Sequence, residues 1–165
     1  MTILIHDLTE EEFARIKIAE KDVTVIQAKG DYAPCQGCYK CWLKNAGYCV
    51  MKDKMQHIGS LMGNSDNVVI ISENYYGCYH PAIKNILDRS ISTSLPFFTY
   101  RNREVHHMSR YPKKNLLKVY LYGDCTDSEK AVAQQFVKAN AVNMCVKEAK
   151  LEILASVSQL QEMTV

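Results

Sequence analysis

The sequence predicts an α/β three-layer sandwich, in which a five-stranded parallel sheet carries helices on both faces. Three observations lead there. Short β-branched runs alternate along the chain with segments of helical spacing. Residues 68–71, Val-Val-Ile-Ile, are apolar at every position, as a strand buried on both faces should be. Thr9-Glu10-Glu11-Glu12 and Thr126-Asp127-Ser128-Glu129 both spell capping boxes, which mark helix starts.

Each element follows from local pattern. Residues 2–5 form the first strand, and a helix from Thr9 is expected to place Phe13, Ile16 and Ala19 on one face. Residues 23–26 are the second strand. Met55, Ile58 and Met62 give residues 53–62 helical spacing, and Gly63-Asn64-Ser65-Asp66 stops that helix. The third strand covers 68–71. A helix over 81–91 has Pro81 in its first turn and Ile83, Ile86 and Leu87 turned inward. The fourth strand spans 116–121, the helix capped by Thr126 runs to about Met144, and 151–154 is the fifth strand. Residues 155–165 leave room only for an abbreviated last helix. The expected core includes Leu4, Val25, Val69, Ile71, Val119 and Leu121.

At 165 residues, 47% hydrophobic and 23% charged, the chain is expected to form one domain over 1–165. Twenty basic against eighteen acidic residues give a charge of +2, which supplies no global field for nucleic acid or a membrane surface. No run reaches the roughly 18 to 20 apolar residues of a membrane span, and the first residues lack a targeting pattern, so a cytoplasmic location is expected. The seven cysteines are an odd number. Among reduced thiols this favours metal, cluster or free-thiol roles over a disulfide framework.

Ligands of such sheets bind at the carboxyl ends of the strands, near the point where strand order reverses. The loop after the third strand reads Ser72-Glu73-Asn74-Tyr75-Tyr76-Gly77-Cys78-Tyr79-His80. Its tyrosines offer flat surface and its glycine allows close backbone approach, which is what a planar ring system needs. Gly123 and Asp124 follow the fourth strand at the same rim. Upstream, Cys35, Cys38, Cys41 and Cys49 make a C-x2-C-x2-C-x7-C pattern. Thiols at i, i+3 and i+6 with a fourth one loop later can close a tetrahedral set, and an iron-sulfur cluster, zinc, and structural or redox-active free thiols all remain open. Cys78, Cys125 and Cys145 lack partner spacing.

Met51-Lys52-Asp53-Lys54-Met55, the run Val68 to Ser72, Asn74-Tyr75-Tyr76-Gly77 and Ile83 to Arg89 together resemble the flavodoxin-like NADPH-dependent FMN reductases and their relatives, the iron-sulfur flavoproteins. The resemblance implies a flavodoxin-like sheet of order 2-1-3-4-5 and a chain that pairs into a homo-oligomer. It implies FMN bracketed by Asn74, Tyr75, Tyr76 and Gly77, with Ser72, Gly123 and Asp124 completing the cofactor-binding rim. NAD(P)H would be the electron donor, and in the iron-sulfur flavoproteins the four cysteines hold a 4Fe-4S cluster. The acceptor would be a quinone, a free flavin or a protein. No residue is singled out as catalytic.

The first loop departs from the family, whose members hold the flavin phosphate in a Gly-, Ser- and Thr-rich turn at a helix N-terminus. Here His6-Asp7-Leu8-Thr9-Glu10-Glu11-Glu12 has no glycine and four carboxylates. An ordinary FMN phosphate site, a phosphate held from a partner subunit, a flavin lacking phosphate and no flavin at all are the readings left open. Between residues 101 and 114, basic and aromatic residues interleave, and a solvated loop or subunit contact is expected over a phosphate-gripping role. Three functions follow. They are a flavin-dependent oxidoreductase, an iron-sulfur flavoprotein electron carrier, and a flavodoxin-like binding or assembly protein that has lost its cofactor.

Overall fold

The computed structural model describes residues 1–19 and 21–160, with the backbone of 162–163. Five parallel strands, β1 (Thr2–His6), β2 (Val23–Gln27), β3 (Asn67–Tyr75), β4 (Lys114–Tyr122) and β5 (Val146–Leu154), lie in the order β2-β1-β3-β4-β5. This is the flavodoxin-like order, and its reversal point lies between β1 and β3, where Leu4 pairs with Val25 on one side and with Val69 on the other. Helices are α1 (Glu10–Phe13), α2 (Lys40–Leu43), α3 (Ile58–Asn64), α4 (Pro81–Arg89) and α5 (Asp127–Asn143).

Period-two alternation along the strands sends side chains to two cores. Ile3, Ile5, Val68, Ile70, Leu117, Val119 and Leu121 pack beneath α3, α4 and α5, against Ile58, Met62, Ile83, Ile86, Ala133 and Val137. Leu4, Val69, Ile71 and Tyr120 face the other way, against Leu8 and Leu160, with Phe13, Ile16 and Ile18 at the margin. Each fully enclosed Ile or Leu contributes about 1.5 to 3 kcal/mol, so the central strands β1 and β3 hold the sheet together.

The second core is thinly covered, and this corrects two expectations. The helix from Thr9 stops after one turn, because Ile16 and Ile18 both reach the core at a spacing of two and Lys17–Ile18 runs extended, paired with Glu162–Met163. Val25 is accordingly not core: it is 40% exposed on the edge strand, where no helix reaches it. The segment expected to be helical from Asp53 begins its helix only at Ile58. The Asp53 carboxylate accepts hydrogen bonds from the Met55 and Ala33 N–H groups, an Asx-type arrangement that competes with helix formation. Where an abbreviated last helix was expected over 155–165, the chain makes a single 3-10 turn at Val157–Gln159 and then the extended pair Glu162–Met163.

A hairpin absent from the expectations follows α4. Ser94–Arg101 and Glu104–Ser109 pair antiparallel around Asn102 and Arg103, both at positive φ. The basic segment is therefore no solvated loop. The Arg101 guanidinium donates to the Val142 and His107 carbonyls, and the buried Lys114 ammonium donates to those of Gly63 and Ser65. Among the described residues no helix is long and apolar enough to cross a membrane.

Candidate functional site

Two constellations lie where the sequence directed attention. The first is the rim at the carboxyl end of β3. Cys78–Tyr79 folds back antiparallel on β3, pairing Asn74 with Tyr79 and Tyr75 with Cys78, so Tyr76 and Gly77 form a two-residue hairpin tip. Both have positive φ, 55° and 82°, the condition for a type I′ turn. Glycine meets that condition freely, and here it is also required sterically: a Cβ at Gly77 would stand 2.6 Å from the Glu129 carbonyl oxygen of α5. Tyr76 has no such freedom, and a left-handed tyrosine on a loop tip is strain of the kind that collects at ligand sites.

The tip is braced by Asn74, whose amide donates to the Asp124 carbonyl at 2.7 Å and whose side-chain oxygen accepts from the Gly77 N–H at 2.9 Å. Asn74 thus joins the two rim loops that the sequence named separately. Tyr76 is 75% exposed and Tyr75 half-exposed, their rings edge to face at 5.1 Å. Ser72 is enclosed: its hydroxyl donates to the Glu73 carbonyl and accepts from the His80 N–H, bracing the rim from within. Gly123 sits at a cleft of about 640 Å³ with Glu12, Arg15, Glu73, Tyr122 and Ser156. That volume lies in the range of small-molecule pockets.

The first loop is braced by its own side chains. Thr9 and Glu12 close the predicted capping box, with the Glu12 N–H bound to the Thr9 hydroxyl and the Thr9 N–H bound to the Glu12 carboxylate. Glu10 pairs with Lys29. Asp7 turns inward, accepting from the Glu73 N–H at 2.9 Å and the Tyr122 hydroxyl at 3.0 Å. Burial pushes its carboxyl up, against the opposing pull of those hydrogen bonds. The Thr9 and Glu73 N–H groups and the Tyr122 hydroxyl at this end of the sheet are thus taken up by the protein's own carboxylates.

The second constellation is the thiols. Cys35, Cys38, Cys41 and Cys49 all line one cavity of about 50 Å³, together with Arg89 and Ile91. Cys41 is buried and Cys35 and Cys49 half-buried, with Cys38 at the mouth. The Cys41 thiol is pushed up by burial first and then by the neighbouring Cys49, with Cys35 and Cys38 lesser influences. Among the described residues no three His, Cys, Asp or Glu side chains converge in the manner that holds a metal ion. A mononuclear zinc, which needs its thiolates around one point, therefore does not fit. A multi-iron cluster distributes its four thiolates about a larger body, and the four thiols on this cavity are the donor set it takes.

Two residues of this site were missed as functional positions. Arg89 is 2% exposed and meets Asp53 in a two-pronged ion pair, Nη2 to Oδ1 at 2.7 Å and Nη1 to Oδ2 at 2.8 Å. Nη1 also donates to the Ala33 carbonyl at 2.7 Å. The pair holds the Asp53 carboxyl down at about 2 and keeps the guanidinium charged, with the Cys49 thiol a lesser influence on it. The signal was present in α4: Ile83, Ile86 and Arg89 fall at i, i+3 and i+6, and a charge on the buried stripe demands a partner. The Nε–H of Arg89 has none.

Residues 6–110 match the family model for NADPH-dependent FMN reductase. The chain belongs to that family. The match ends before β4, so it spans the rim hairpin and the thiol cavity but not the Gly123–Asp124 loop. Among curated proteins, the iron-sulfur flavoprotein of Methanosarcina thermophila is 29% identical over 92 residues, 56% of this chain and 47% of that protein. The iron-sulfur flavoprotein of Archaeoglobus fulgidus is 31% identical over 104 residues, 62% of this chain and 48% of that protein. The chain thus matches about half the length of these curated relatives. In fold it is similar to an FMN-dependent NADH-azoreductase from Bacillus anthracis solved with FMN, at a TM-score of 0.55 and 14% identity, covering 97% of this chain and 91% of that one. It is also similar to the azoreductase AzrA, at a TM-score of 0.60 and 12% identity, covering 96% and 88%. These two likenesses speak to the FMN reductase fold alone.

Proposed function

We propose that the chain is a flavin-dependent oxidoreductase of the iron-sulfur flavoprotein kind, which takes electrons from NAD(P)H and passes them onward through the four-cysteine site. The observation that carries this reading is the convergence of Cys35, Cys38, Cys41 and Cys49 on one cavity inside an FMN reductase fold. A fold retained only for binding or assembly would have no reason to bring four thiols together beside a buried cation.

When bound, a flavin supplies the means to accept two electrons as a hydride and release them one at a time. The chain's own residues do the rest. Tyr75 and Tyr76 give the ring flat apolar surface, and Asn74 holds the tip between Gly77 and Asp124 so that the platform is rigid before the ring arrives. The ring fits this rim, whereas a phosphate does not fit the first loop, where Thr9, Glu12 and Asp7 occupy the donors. The ring is therefore held mainly by its face, with little contribution from the phosphate. Cys35, Cys38, Cys41 and Cys49 would hold a 4Fe-4S cluster, with Asp53 and Arg89 fixing both ends of the segment that bears them.

Anaerobic mixing with NADPH or NADH, followed by visible absorption, tests the function. Bleaching of bound flavin, then of the broader cluster absorption, is expected. Protein that carries flavin but is reduced by neither nucleotide would contradict it.

A further inference from the structure

Arg89 is the least expected residue of the thiol cavity. Its side chain is wholly enclosed, and Asp53 takes the end-on edge of the guanidinium fork through both Nη atoms. Ala33 takes a further Nη1 hydrogen. What remains is the Nε–H, a buried donor with no hydrogen-bond partner, on a side chain that lines the cavity with all four thiols. A buried donor left unmatched costs about 1 to 3 kcal/mol, more when charged, so such a group marks a place where an acceptor is missing.

The surroundings identify the acceptor. The cavity that Arg89 lines is shared by the thiols of Cys35, Cys38, Cys41 and Cys49. A neutral thiol is a poor acceptor, whereas a thiolate that ligates iron is anionic and accepts well. The anchoring is also suggestive. Ala33 lies two residues before Cys35 and Asp53 four residues after Cys49, so Arg89 fastens both ends of the cysteine segment. A group that holds the segment at both ends is thereby placed beside its thiols.

We propose that Arg89 donates its Nε–H to one of the cavity sulfurs when that sulfur ligates the cluster, and so sets the cluster's reduction potential. This rests on the cluster reading of the cysteines. One-electron reduction adds a negative charge to the cluster, and an N–H donor together with a fixed cation stabilises that charge, raising the potential. In the test the electron comes from dithionite, and no other reactant is needed.

The test uses the full chain, reconstituted anaerobically with iron and sulfide. Wild-type protein is prepared with guanidino-15N arginine, and the dithionite-reduced cluster is examined by electron-nuclear double resonance. Arg89 lines the cavity and none of the other arginines does, so a 15N coupling absent from the unlabelled sample is the expected result. Arg89→Lys keeps a charge and loses the planar donor. It should bind the same iron per chain, show a more negative potential in a dithionite titration and lose the nitrogen coupling. A wild-type cluster without 15N coupling overturns the assignment by itself, whether or not the lysine variant folds. An Arg89→Lys cluster of unchanged potential does the same. Failure of wild-type protein to take iron at all overturns the cluster reading, and this inference with it, and is distinguished by the metal analysis alone.

Discussion

Arg89, on the last turn of α4, and Asp53, four residues after Cys49, are 36 positions apart in sequence and meet through two hydrogen bonds of 2.7 and 2.8 Å. The guanidinium is fully enclosed and the carboxylate mostly so. The contact ties the loop that bears the thiols to a helix packed on the central sheet, and its electrostatics are measurable.

The Asp53 carboxyl lies at about 2 in the folded chain, held there chiefly by Arg89, against 3.8 when free. A depressed carboxyl stabilises the fold above its unfolded value, and that stability is lost as pH falls through the folded value. Wild-type protein should therefore lose about 2 kcal/mol between pH 4 and pH 2 from this group alone, at 1.36 kcal/mol per pH unit. Urea unfolding across that window checks it. In Asp53→Asn this part of the slope should vanish, and the protein should be weaker throughout by roughly 3 kcal/mol, because a buried cation is left unpaired.

His6 gives a second, separate window. It is 2% exposed, its ring stacked on Phe13 at 4.1 Å, and burial lowers it to about 4 from 6.5. The fold binds the neutral ring, so its stabilising share is complete above pH 6.5 and is lost as pH falls through about 4. The expected loss is about 3 kcal/mol. His6→Leu should flatten the stability profile between pH 6.5 and pH 4 while leaving the lower window of Asp53 intact.

At the rim, Tyr75→Ala combined with Tyr76→Ala should weaken flavin binding by roughly 1 to 3 kcal/mol, by analogy with aromatic stacking on planar bases. Riboflavin should bind nearly as well as FMN, since the first loop has no free donors for a phosphate. Fluorescence titration measures both, and a large preference for FMN would reveal an anion site elsewhere.

Gly77→Ala should disrupt the same hairpin from beneath. Its Cβ would meet the Glu129 carbonyl oxygen at 2.6 Å while holding a left-handed φ. A loss of about 1 to 3 kcal/mol in unfolding free energy is expected, with weaker flavin binding than an exposed-loop substitution would cause.

The capping boxes and the two-sided burial of β3 were legible because each rests on local pattern, whereas the strand order came only with the family resemblance. The thiol group was legible too, since the four cysteines of that pattern line one cavity. The failures share a cause, which is that a distant partner decided the local structure. Residues 53–57 read as helix until Asp53 is seen bonding to Ala33 and Arg89. Phe13, Ile16 and Ala19 read as one helical face until Ile16 and Ile18 are seen packing at strand spacing. The hairpin of Ser94–Arg101 with Glu104–Ser109 turns at Asn102-Arg103, which lacks the glycine that advertises such a turn. In the acidic first loop Asp7 is an internal acceptor, bound to Glu73 and Tyr122, not part of a bare cluster of charge.

The central claim is that the four cysteines act together as the ligands of one cluster. Thiolates that share a cluster are jointly required, whereas structural thiols behave independently. The deciding measurement is the iron and sulfide content, with the visible spectrum, of anaerobically purified protein and of the Cys35→Ser, Cys38→Ser, Cys41→Ser and Cys49→Ser variants. The account predicts iron and sulfide in near-equal amounts with broad visible absorption in the wild type, lost alike in all four variants. Wild-type protein without iron, with flavin retained in every variant, would contradict it.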